Sequence, residues 1–94
     1  MMISANEYFD GNVKSLGYTS KTGQSTLGVM NAGTYEFSTS KHETMNVVEG
    51  EMTVLLPGES EWKTYKAGEA YQIEANEKFQ VKVGEQTSYL CQYK

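Results

Sequence analysis

The stretch Gly33–Gly50, GTYEFSTSKHETMNVVEG, constrains the fold more than any other part of the chain. Tyr35, Phe37 and Thr39 alternate with Glu36 and Ser38, the period of two that sorts side chains onto opposite faces of a strand. A polar turn, Ser40-Lys41-His42, follows. A second strand then places Glu43, Met45 and Val47 on one face. It stops at Glu49-Gly50, a pair suited to a hairpin into the next strand. Two facing strands with one carboxylate among apolar neighbours form a pocket wall, expected here to be the ligand wall of a small β-barrel.

The same alternation recurs along the chain. Val13 and Ser15 oppose Lys14 and Leu16. Thr26 to Met30 is a short strand with Gly28 in its middle, a sign of a bend or of close backbone approach. Met52, Val54 and Leu56 share a face, and Phe79, Val81 and Val83 oppose Lys78, Gln80 and Lys82. In the last strand Tyr89, Cys91 and Tyr93 oppose Ser88, Leu90 and Gln92. Turn signals fall roughly every 8–12 residues, giving about eight or nine strands. No window holds a helical period; the one helical candidate is a turn near Ala5. The reading is an all-β sandwich or barrel, a single domain over residues 1–94.

A chain of 94 residues buries only about 60–65% of its unfolded surface, which makes a dimer attractive. Eight Lys against twelve acidic residues give a net charge of −4, which argues against a nucleic-acid or anionic-membrane partner. No Arg is present, so a bidentate guanidinium clamp on phosphate is not available within the chain. One cysteine, Cys91, excludes an intrachain disulfide. Neither a cationic, apolar leader nor a run of about 18 apolar residues occurs. The expected compartment is a reducing cytoplasm.

Few residues suit polar chemistry. His42 is the one histidine and sits in a polar turn, where a solvated surface role outweighs a metal or general-base role. One His and one Cys also leave a transition-metal site short of ligands. Cys91, within a strand, reads as a small buried filler. Tyr35, Phe37, Phe79, Tyr89 and Tyr93 sit at phases that can line a barrel mouth, although most aromatic rings belong in a core or interface. Glu43 is the carboxylate in phase with apolar Met45 and Val47. It either points inward to a ligand or reaches water from a strand end.

These residues carry a partial resemblance to cupins. Glu43 and Gly50 match the E-x6-G end of the first cupin motif, whose two histidine positions fall on Phe37 and Thr39. The second motif, aligned from Gly68, puts Glu74 at its proline, Asn76 at its glycine and Phe79 at its histidine. Three of four usual metal ligands are thus replaced, and the implied pocket is metal-free. A closer resemblance spans nearly the whole chain. NEYFDGNVKSLGY, LGVMNAGTYEFST, ETMNVVEGEMTVLLPG and TSYLCQYK are similar to the small cupin-type pyrimidine/purine nucleoside phosphorylases, a bacterial family.

That resemblance implies a cupin-like, RmlC-like jelly-roll β-barrel, usually a dimer. It also implies a pentosyltransferase that splits purine and pyrimidine nucleosides reversibly to free base and (deoxy)ribose 1-phosphate. Inorganic phosphate is then the co-substrate, with no other cofactor. In this setting Glu43 is the hypothesised catalytic group, opposing charge on an oxocarbenium-like sugar. Thr39 and Ser38 are candidates to hydrogen-bond phosphate or sugar. Phe37, Phe79 and Tyr93 are candidates to stack on the base, a contact that tolerates any base. The phosphate lacks an obvious cation, since Lys78 and Lys82 oppose Phe79. The rival reading is a metal-free barrel that binds a small polar metabolite without catalysis; a metal-dependent cupin enzyme stands behind both.

Overall fold

A computed structural model describes residues 2–94. Ten strands account for its regular structure: β1 Ser4–Tyr8, β2 Val13–Ser20, β3 Gly23–Met30, β4 Gly33–Ser38, β5 Glu43–Glu49, β6 Glu51–Leu55, β7 Lys63–Lys66, β8 Ala70–Ile73, β9 Lys78–Val83 and β10 Thr87–Tyr93. They form two antiparallel sheets. One runs β1-β2-β3-β10-β5-β8 and the other β4-β9-β6-β7.

The sheets face each other because most of their strands have one apolar side. Val13, Met30, Met45, Val47, Tyr71, Ile73, Tyr89 and Cys91 come from the six-stranded sheet. Tyr35, Met52, Val54, Phe79, Val81 and Val83 come from the four-stranded sheet, and the two sets merge into one buried cluster. Rings lock the layers together: Tyr71 of the first sheet lies 4.8 Å from Tyr65 and 6.3 Å from Phe79 of the second, centroid to centroid. Burial on this inner face follows the alternation expected for the segments that supply it.

Two local expectations are corrected. The N-terminal residues form no helical turn near Ala5: Ser4–Tyr8 is a strand paired with β2, Ala5 opposite Leu16 and Tyr8 opposite Val13. Nor do β5 and β6 form a hairpin at Glu49-Gly50. β5 pairs with β8 and β10, whereas β6 pairs with β7 and β9. The chain crosses from one sheet to the other at Gly50. Its φ of +94° and the Thr87 side chain, which would stand 2.6 Å from any added Cβ, explain the glycine.

Gly28 behaves as its place in a strand suggests. It pairs with Tyr89 across β3 and β10, and the Tyr89 ring lies where a Cβ would sit, 2.4 Å from it. The missing side chain is therefore the seat of a buried aromatic ring on the inner face.

Candidate active site

Between the sheets lies a cleft of about 150 Å³. Its aromatic wall belongs to the four-stranded sheet. Phe37 of β4 and Phe79 of β9 are register partners, stacked with centroids 5.6 Å apart and planes 29° from parallel. Phe79 is buried beneath Phe37, which stays half-exposed. Ser38 lies at the rim with Tyr8. Phe9 braces this wall, 5.0 Å from Tyr35 and 5.6 Å from Phe37, edge-on to the latter. To do so it takes a φ of +53°, a left-handed conformation that costs a bulky residue about 1–2 kcal/mol.

The opposite wall carries the polar groups. Across β5 and β10, Glu43 pairs with Tyr93, and Met45 pairs with Cys91. Thr26 pairs with Cys91 from the β3 side. Tyr89, seated on Gly28, extends the wall. The Cys91 thiol donates to Glu43 Oε1 at 3.4 Å, and the Tyr93 hydroxyl lies 3.0 Å from Thr26 Oγ1.

This setting controls protonation. Burial raises the Glu43 carboxyl above its ordinary value, the effect being opposed by the Cys91 thiol and by nearby His42. Burial likewise pushes Tyr89 up to about 12 and raises Cys91 and Tyr93 well above their ordinary ranges. Near neutral pH the two phenols and the thiol are protonated donors, and burial disfavours the ionised form of Glu43.

Glu43, Phe37, Phe79, Tyr93 and Ser38 thus line one cleft. Thr39 does not. Its hydroxyl donates to Glu74 O at 2.6 Å and accepts from Glu77 N at 3.0 Å, while its backbone bonds Glu77 O and Asn76 N. Thr39 fastens the β8–β9 turn, at whose apex Asn76 adopts a φ of +63°. The position aligned with the cupin glycine keeps a glycine-like conformation, which Asn tolerates. Tyr93, a candidate to stack on the base, lines the cleft with its hydroxyl hydrogen-bonded to Thr26.

Sequence reasoning missed Tyr8, Ser15, Thr26 and Met30 as cleft residues and read Cys91 only as a buried filler. The signal for Thr26 was Gly28, because a residue two places from a ring-seating glycine shares its face. Tyr8 left no signal, lying at the end of a strand with no apolar face. Tyr35 turns away, donating its hydroxyl to Asn31 O at 2.7 Å. His42 is half-buried rather than solvated, with Nε2 3.0 Å from Gln72 Oε1. Among the described residues no three His, Cys, Asp or Glu side chains converge as a metal site, and no helix is long and apolar enough to cross a membrane.

Comparison with known proteins adds a family. The family model described as pyrimidine/purine nucleoside phosphorylase matches residues 3–93. Proteins of that name from Pseudoalteromonas atlantica and Psychromonas ingrahamii are 60% and 55% identical, over 98% and 100% of this chain and 99% and 100% of their own. A Vibrio parahaemolyticus crystal structure of unknown function superposes with a TM-score of 0.96 at 41% identity, covering all of both chains. An RmlC-like cupin from Shewanella frigidimarina shares the fold, with a TM-score of 0.71 at 15% identity over 95% of this chain and 80% of its own.

Proposed function

The chain belongs to the pyrimidine/purine nucleoside phosphorylase family, and from that premise we propose that it is a pentosyltransferase that cleaves purine and pyrimidine nucleosides with inorganic phosphate. The products are the free base and pentose 1-phosphate, and the reaction is reversible. One phosphate oxygen supplies the electron pair of the new bond to C1′. The C1′–N bond breaks with its pair going to the base, and the proton of hydrogenphosphate ends on the base nitrogen. Atoms and charge balance with no further cofactor.

The observation that carries the reading to particular residues is the cleft pairing Glu43 with an aromatic wall. As C1′ loses the base, positive charge spreads over the sugar, and an ionised carboxylate fixed beside it lowers that energy. Glu43 has this role. Phe37, backed by Phe79, gives the base an apolar face that does not read its edge, which suits breadth across purines and pyrimidines. Tyr93 and Ser38 supply hydroxyls to the sugar. Thr39 is left with its structural task.

The assay follows base release from uridine and adenosine with and without phosphate. The reading expects release that requires phosphate, with pentose 1-phosphate formed in equal amount. Binding without turnover supports a non-catalytic barrel instead.

We also assign a homodimer in a reducing cytoplasm. Its interface is the outer face of the six-stranded sheet, where Leu16, Leu27 and Leu90 form one cross-strand row. Leu16, Leu27, Val29 and Val48 are each about half exposed there, surface that a second copy would remove from water.

A further inference from the structure

A second, polar cleft adjoins the first. It has a volume of about 400 Å³ and lies at the end of the six-stranded sheet, between β1–β3 and the β4–β5 turn. Thr26 and Tyr93 line both clefts. Their hydroxyls lie 3.0 Å apart, so this pair is the partition between them.

The composition of the second cleft is selective. Ser25, Thr26 and Ser40 contribute hydroxyls, and among the described residues Lys41 is its one charged lining residue. None of its lining residues is a carboxylate, in a chain with twelve acidic residues and a net charge of −4. Lys41 is held by a neutral partner, with Nζ donating to Gln24 Oε1 at 3.1 Å. Its charge is therefore not cancelled. Three other lysines are engaged elsewhere: Lys14 pairs with Glu7, Lys63 with Glu59, and Lys82 lies 3.9 Å over the Trp62 ring. Hydroxyl donors around one uncancelled cation, without a carboxylate, suit a tetrahedral oxyanion.

We infer that this cleft is the phosphate subsite, with Lys41 as its cation and the Ser40 and Thr26 hydroxyls as donors. The inference rests on the phosphorylase reading and completes it, because that reading otherwise leaves the dianion unmatched. It also resolves an electrostatic conflict. Phosphate placed directly against Glu43 is repelled by it. Phosphate in the second cleft lies across the Thr26–Tyr93 pair from the Glu43 carboxylate, which lines the first cleft and not the second. The Tyr93 hydroxyl, kept protonated by burial, donates to Thr26 Oγ1 and so leaves the Thr26 proton for the phosphate.

The test compares the wild-type protein with Lys41→Gln, Lys41→Arg and Ser40→Ala, using Lys63→Gln as a control for net charge. Two readouts are taken: KM for phosphate and for uridine in steady state, and the Kd of inorganic phosphate without nucleoside, by calorimetry. Loss of one charge-assisted contact predicts a rise of about tenfold or more in phosphate KM and Kd for Lys41→Gln. Uridine KM stays within about twofold, Lys41→Arg restores most of the loss, and Lys63→Gln matches wild type. Phosphate Kd unchanged in Lys41→Gln, or an equal change in Lys63→Gln, overturns the assignment. The binding readout needs no turnover, so it judges this subsite even if phosphorolysis itself is not observed.

Discussion

Glu43 sits where burial and chemistry pull against each other. Its carboxyl is raised by desolvation and only partly relieved by the Cys91 thiol and His42. A raised folded-state value means that the folded protein holds this proton more tightly than the unfolded chain. The associated stability is fully present below the unfolded value and is lost as pH rises through the folded one. Glu43→Gln removes that loss. Thermal melts of the two proteins should therefore coincide best in acid, and the variant should gain relative to wild type as pH rises toward neutrality. A wild-type advantage that grows with pH would show that the carboxylate is stabilised by its surroundings instead. Glu43 was legible from its phase with Met45 and Val47, and Phe37 and Phe79 from theirs. Thr39 shared the phase of Phe37, but as the residue after β4 it meets the β8–β9 turn, and its hydroxyl is used there. Periodicity reports which face a side chain takes, not which partner lies at the end of the strand.

At the scale of elements, the cleft depends on β3 and β10 lying side by side with a glycine opposite a tyrosine. Gly28→Ala would drive a methyl group into the Tyr89 ring, which is buried and has little room to retreat. Overpacking of this kind costs about 1–3 kcal/mol. Chemical denaturation should show a loss of that size, accompanied by weaker nucleoside binding as Tyr89 shifts into the cleft. A neutral outcome would mean that the ring has another place to go. Gly28 was readable because an isolated glycine within a strand signals close approach. β1 was not, since SANEY has no apolar face and is specified by its ladder to β2. The crossing at Gly50 was misread for a related reason. Glu-Gly favours a reversal, but which sheet receives the next strand is decided by distant partners, β9 and β7 for β6.

The whole molecule has an inner face that supplies two adjoining clefts and an outer face that remains apolar. A chain this short gains from covering such a face. Light scattering should report a dimer, and Leu27→Lys should shift it to monomer by placing a charge in the centre of the leucine row. A monomeric wild type would remove the outer sheet face as an interface. The central claim concerns the inner face: phosphate cleaves a nucleoside there because Glu43 stabilises the sugar. Its most direct measurement is the initial rate of base release from uridine, with and without phosphate, for wild type and Glu43→Gln. The account predicts release only with phosphate, and a rate about a hundredfold or more lower in the variant. Base release without phosphate, or Glu43→Gln turning over at the wild-type rate, would contradict it.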